Sequence, residues 1–231
     1  MSMIRVAVVT TVLLSAALSA TAQAAAVVTN TTQFTTFTVS NTDLLQSKLA
    51  SVTGTGDFSR EGAIGLSAFN NGTYGNLGNQ GNGGQAATAD GSNSVMFRFN
   101  AGNGTGYNIS SIDSYAGWDN YRGGQSYSVF YSTALAPSNY VLLASVFNDA
   151  VTGGNTNTRA NIVGSNGFLA LGVTSLRFDF NGNLSNGYAG YREIDVQGVA
   201  AARAAVPEPG SLALLGLGIA GFAAARRRKQ A

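Results

Sequence analysis

The sequence predicts an all-β body, an antiparallel β sandwich, flanked by an N-terminal signal helix and a C-terminal hydrophobic helix. Three observations carry the prediction. Large and polar residues alternate with period two: Tyr127, Val129 and Tyr131 against Ser126, Ser128 and Ser132, Leu176, Phe178 and Phe180 against Arg177 and Asp179, Ile194 and Val196 against Glu193 and Asp195. That period puts one set of side chains on each face of a strand. Turn residues separate such segments at short intervals, and no run of parallel β-α units or fixed-length repeat occurs.

In chain order, Arg5 precedes an apolar run, Val6 to Ala20, and then small residues including Ala22-Gln23-Ala24. This is the pattern of a secretory signal peptide over 1–24. Cleavage after Ala24 fits the small-x-small rule best, and Ala20-Thr21-Ala22 also satisfies it. Residues 25–56 read as an extended segment that joins the sandwich: Val27 to Ser40 is Thr-rich, and Thr42-Asp43 offers an N-cap to a short helix over Leu44 to Leu49. The sandwich itself is expected over 57–200. Its first long loop is Asn70 to Gly84, where 11 of 15 residues are Gly or Asn, a composition that no helix or central strand tolerates. Strands are expected at Val95–Phe99, Tyr107–Tyr115, Ser126–Ser132, Val141–Val146, Gly167–Leu171, Val173–Phe180 and Arg192–Gly198.

The end of the chain has a different logic. A linker over 201–210 carries Val206-Pro207-Glu208-Pro209-Gly210, an uncharged apolar run fills 211–225, and 226–231 begins with Arg226, Arg227, Arg228 and Lys229. As a helix, Leu212 to Ala225 would span about 21 Å, short of the ~30 Å hydrocarbon core, so snorkelling basic stems must make up length. The four cations resist translocation and leave the body outside.

These termini distort the composition. The pI of about 9.0 looks basic. Between Ala25 and Ala205, however, eight Lys and Arg face ten Asp and Glu, a net −2, so nucleic-acid binding loses its support. The chain has no Cys and no His. That excludes Ser-His and Cys-His nucleophiles and the usual zinc sets. A carboxylate pair for glycan hydrolysis has no local signature, and the Gly/Asn stretch lacks the Lys-Ser/Thr ending of a phosphate loop. No catalytic residue is expected.

The Pro-Glu-Pro motif, the Gly-containing apolar segment and the final Arg cluster together resemble the PEP-CTERM sorting signal of bacterial exported proteins. The resemblance implies recognition of Pro207, Glu208 and Pro209 by an exosortase and cleavage near the motif. It further implies entry through the general secretion machinery, transient inner-membrane anchoring, a surface or matrix destination, and a host that makes exopolysaccharide.

In the body, Tyr115-Ala-Gly-Trp118, Arg122 to Ser132, Val173 to Phe178 and Gly187 to Gly198 resemble the galactose-binding-like, discoidin-type jelly roll. Sugar recognition needs an aromatic face beside groups that pair with hydroxyls, and Trp118-Asp119-Asn120-Tyr121-Arg122 supplies both within five residues. Tyr74 and Tyr188 would converge on them if the resemblance holds; the ordinary alternative is that Trp118 is core and Tyr121 packs at a loop edge. Some relatives of that type hold a structural calcium. Glu193 matches its last-strand ligand, and Asn71 stands in the early loop where Asp is usual, so an amide oxygen would replace a charged ligand; a salt bridge to an Arg is the ordinary role for Glu193. The sequence therefore leaves three readings: an exported module that binds extracellular polysaccharide or cell-surface glycan, a structural or adhesive matrix protein without a defined ligand, and a carboxylate-based glycan hydrolase.

Overall fold

The computed structural model describes residues 24–75, 85–100, 104–118, 122–149, 156–182, 184 and 187–203, together with Ile219 and Arg226. The signal helix, the Val206–Gly210 motif, the apolar segment apart from Ile219, and Arg227, Arg228 and Lys229 lie outside those residues. Among the described residues, no helix is long and apolar enough to cross a membrane.

Among the described residues ten strands form the body: β1 (Ala26–Gln33), β2 (Leu49–Thr55), β3 (Ala87–Ala89), β4 (Ser94–Phe99), β5 (Tyr107–Gly117), β6 (Gln125–Thr133), β7 (Ala136–Asn148), β8 (Asn157–Gly164), β9 (Ala170–Phe180) and β10 (Ala189–Ala200). All pairings are antiparallel. One layer runs β1-β8-β5-β10-β3 and the other β2-β4-β9-β6-β7; they join where Tyr107 and Ile109 of β5 pair with Val173 and Ala170 of β9. The all-β sandwich expected from the period-two alternation is the observed architecture. The N-terminal segment is part of it, because β1 and β2 each close one edge of a layer, on β8 and β4.

Inward residues follow the alternation. Ile109, Ile112, Ile162, Ile194 and Val196 of the first layer meet Val95, Phe97, Val129, Leu176 and Phe178 of the second. The aromatic centre is Tyr127, Phe178, Phe180 and Tyr191, with ring centroids 5.3 Å apart for Tyr127–Phe178 and 4.8 Å for Phe180–Tyr191. Both buried tyrosine hydroxyls are satisfied: Tyr127 by the Ser114 hydroxyl at 2.7 Å, and Tyr191 by the Ser126 N–H at 3.1 Å.

Strand β8 was not expected, and β9 replaces two expected strands as one continuous element starting at Ala170. In β8, Arg159 and Asn161 obscure the pattern, yet both are drawn to one acceptor. Arg159 Nε and Asn161 Nδ2 donate to Asp113 Oδ1 at 2.7 and 2.8 Å across the β5–β8 ladder.

The expected short helix is α1 (Leu44–Ser47), capped by Asp43, whose Oδ1 accepts from Leu45 N at 2.8 Å. The same oxygen accepts from Val196 N in β10 at 3.1 Å, so this cap also locks the N-terminal segment to the last strand. Asp43→Ala is expected to lower stability by about 1–2 kcal/mol, read as a lower midpoint in thermal or urea unfolding.

Candidate functional site

At one end of the sandwich, chain segments far apart in sequence bring five charged or aromatic side chains together. Arg122 precedes β6, Tyr188 precedes β10, and Arg60 and Glu61 lie in a 3₁₀ turn (Arg60–Gly62) before β3. The Arg122 guanidinium lies 4.1 Å from the Tyr188 ring centroid and 5.7 Å from the Trp118 ring; Arg60 lies 5.4 Å from Tyr188. Glu61 ties the set, with its carboxylate 2.6 Å from Arg122 Nη1 and accepting a hydrogen bond from the Tyr188 hydroxyl. Arg60 in turn pairs with Asp90 at 2.5 Å.

Glu61 is in the left-handed region, φ 52° and ψ 35°, the only non-glycine with positive φ among the described residues. Such a conformation is disfavoured for a residue with a Cβ. Here its carboxylate faces both partners across separations of 61 and 127 residues. The Tyr188 hydrogen bond, then the Arg122 contact, holds the Glu61 carboxyl below its ordinary value. Burial and the Glu61 contact push the Tyr188 phenol up to about 12, so it remains a hydrogen-bond donor at neutral pH.

Of the residues expected to bind a ligand, Arg122 and Tyr188 do come together, and Trp118 lies beneath them. Two expectations are corrected. Trp118 is only 6% exposed and packs with Ala63 and Ala86, so its ring offers no open face. The backbone of Gly190 lies against the indole so closely that a Cβ there would fall 2.3 Å from Trp118 Cε3. Tyr74 is 5% exposed; its hydroxyl donates to Asn157 Oδ1 at 2.5 Å, and its ring contacts Phe37 and Tyr115 with centroids 6.1 and 6.3 Å apart. It staples the start of the Gly/Asn loop to β5 and β8 instead of facing solvent. Asp119, Asn120 and Tyr121 lie outside the described residues. Arg60 and Glu61 were missed. In a chain with only 10% charged residues, an adjacent Arg-Glu followed by Gly was the available signal.

The expected metal pair does not assemble. Glu193 is fully buried; Oε2 accepts from Gly72 N at 2.9 Å and Oε1 from Gln46 Nε2 at 3.1 Å. Asn71 Oδ1 is instead taken by the N–H and hydroxyl of Thr73 at 2.8 and 2.6 Å. A backbone N–H, not an oxygen ligand, thus faces Glu193 from the early loop. Among the described residues, no group of three or more acidic side chains is arranged to hold a metal. The alternative salt bridge is also absent for Glu193 among these residues. Its neighbours are acids: Asp195, whose Oδ2 accepts from Ser40 N at 2.8 Å and the Tyr115 hydroxyl at 3.2 Å, and Asp43. Burial first, then these charges, pushes Glu193 up to about 9; burial first, then Asp43 and Asp113, pushes Asp195 up to about 6. Glu193 is therefore held as a neutral acid at pH 7.

The model of the PEP-CTERM protein-sorting motif matches residues 205–229. The tail is a PEP-CTERM sorting motif. It implies export, transient anchoring through the C-terminus and exosortase processing. No curated protein matches this sequence. Among solved structures, the chain is similar to the CBM32 of AlyQ in complex with 4,5-unsaturated mannuronic acid, at 13% identity, 64% of this chain, 94% of that one and TM-score 0.38. It is also similar to chitosan-binding module 1 of a chitosanase/glucanase from Paenibacillus sp. IK-5, at 14% identity, 68% and 98% coverage and TM-score 0.38. A third is the pair of CBM32-1 and CBM32-2 domains of Clostridium perfringens ZmpB, at 15% identity, 75% and 42% coverage and TM-score 0.43.

Proposed function

We propose that this is an exported, exosortase-sorted surface or matrix protein whose sandwich binds extracellular polysaccharide at the loop end formed by Tyr188, Arg122, Arg60 and Glu61. The observation that carries the ligand reading is the half-exposed Tyr188 ring with the Arg122 and Arg60 guanidinium groups 4.1 and 5.4 Å from its centroid, beside the exposed Glu61 carboxylate. An aromatic ring covers the apolar face of a pyranose, while guanidinium and carboxylate groups pair with its hydroxyls. Asp119, Asn120 and Tyr121, between Trp118 and Arg122 in sequence, are proposed to contact the same ligand. No catalytic step is part of this reading.

Pull-down of the full-length protein with the host's own polysaccharide tests it. Tyr188→Ala is expected to weaken retention by about tenfold or more, because truncating a central aromatic anchor removes both its contact area and the site's order. Undiminished retention rejects the site. A second reading, an adhesive matrix protein without a defined ligand, is favoured by the burial of Trp118 and Tyr74, which takes two of the expected aromatic faces out of the site. It predicts no retention of the wild-type protein at all. Sorting is tested separately by intact mass in the host: loss of the first 24 or so residues and of the tail beyond Pro207 to Pro209 is expected, and a full-length C-terminus in the membrane rejects it.

A further inference from the structure

The outer face of the β2-β4-β9-β6-β7 layer carries a second concave site, away from the Tyr188 cluster. Cross-strand register sets Met96 beside Arg177 and Arg98 beside Ser175 on β4 and β9, and Phe130 beside Arg177 and Ser132 beside Ser175 on β6 and β9. Tyr140 of β7 closes over them: its hydroxyl is 2.9 Å from Ser175 Oγ and 3.3 Å from Met96 Sδ. The result is a cleft of about 440 Å³ lined by Met96, Arg98, Ser132, Tyr140, Thr174 and Ser175, among others. Its size lies in the range of small-ligand sites.

Three features give the cleft a chemical preference. The Arg177 guanidinium beside it is held between the Phe130 and Tyr140 rings, 4.7 and 4.9 Å from their centroids, and pairs with Asp179 at 3.0 Å. Arg98 is exposed and has no ion pair among the described residues, so the local charge is positive on a body that is net negative. Ser132 is 1% exposed, and its hydroxyl has no hydrogen-bond partner among the described residues. A buried hydroxyl left without a partner costs free energy that a ligand polar group would recover.

We propose that this cleft binds an acidic sugar residue, a pyranose bearing a carboxylate, within a polysaccharide. The Arg98 fork matches a carboxylate in two parallel hydrogen bonds. Ser132, Ser175 and Thr174 supply hydroxyl partners, and Tyr140 and Met96 supply apolar contact for the ring C–H groups. A single unpaired cation, rather than a basic stripe, suits one carboxylate per site and not a phosphate backbone. This inference goes beyond the loop-end site and does not depend on it.

The test is calorimetric titration of the full-length chain in mild detergent with a short oligoglucuronate and with the same oligomer after reduction of its carboxylates to the neutral sugar. The acidic oligomer is expected to bind at least about tenfold more tightly, and Arg98→Gln to remove that advantage. Binding should weaken with added salt. Ser132→Ala should weaken binding while leaving the unfolding midpoint unchanged or raised, since it deletes an unpartnered polar atom. Tyr188→Ala should leave this binding intact, which separates it from the loop-end site. Equal binding of the two oligomers, no binding of either, wild-type affinity in Arg98→Gln, or loss in Tyr188→Ala alone each overturns the proposal.

Discussion

Trp118→Ala is expected to lower stability by about 3–5 kcal/mol, and the loss should appear in unfolding before it appears in any binding assay. The indole is buried against Ala63 and Ala86, with the Gly190 backbone on one face and the Arg122 guanidinium 5.7 Å from it. Removing it leaves a cavity under the residues that place Arg122 and Tyr188. Gly190→Ala is the opposite test of the same contact. Its Cβ would fall 2.3 Å from Cε3 and 3.2 Å from Cδ2, so the indole or the β10 backbone must shift, at a cost of about 1–3 kcal/mol or more. Urea midpoints check both. If Trp118→Ala unfolds like the wild type yet binds no glycan, the ring is a ligand platform after all and its burial misleads.

Stability is expected to fall as pH rises from mildly acidic to alkaline, and Glu193→Gln should abolish most of the fall. Glu193 has an ordinary value of 4.5 and is pushed up to about 9 in the folded protein, by burial first and then by Asp195. Between those values the folded chain keeps a proton that the unfolded chain has released. Stability then declines with pH, by at most about 1.4 kcal/mol per unit. Asp195, pushed up from 3.8 to about 6, adds to the decline at the acidic end of that window, and Asp43 is shifted in the same direction by burial. On the other side, Glu61 and Asp90 are held below their ordinary values, so their stabilisation is lost as pH falls through their folded values. Glu61 is too open to solvent for its share of that loss to be large.

Glutamine at 193 keeps the volume and cannot ionise. Gln46 Oε1 is buried without a partner among the described residues, so a half-turn of that amide gives the new N–H₂ an acceptor. Thermal midpoints from pH 5 to 9 check this: the wild type should fall steeply, the variant should be flatter and should exceed the wild type at pH 9. A wild type equally stable at both ends would mean that Glu193 is ionised in the fold and compensated by a cation.

Contiguous features were legible in the sequence by itself. The PEP-CTERM motif is a linear signal read by a separate enzyme, so Pro207, Glu208 and Pro209 need no tertiary context. Period-two alternation placed β4, β5, β6, β9 and β10, because a strand with one face in the core and one outside must alternate. Asp43 was readable as a cap because capping acts over two or three residues. What only the tertiary structure decided involves partners distant in sequence. Strand β8 hides its pattern because Arg159 and Asn161 are satisfied by Asp113, about 46 residues away. The sequence left Trp118 open between a binding ring and a core residue and offered Tyr74 as a binding ring, because their covers, Gly190 and Phe37, come from other segments. Alternation with Ile194 and Val196 puts Glu193 and Asp195 on the outer face of the last strand, yet they are buried. The N-terminal segment from Ser40 to Gln46 and the turn at Gly72 fold over them; burial pushes Glu193 up to about 9, while Asp195 accepts from Ser40 N and the Tyr115 hydroxyl. The Arg60–Glu61–Arg122–Tyr188 cluster exists only where three connections meet at one end of the sandwich, a proximity that loop closure creates and local pattern does not encode.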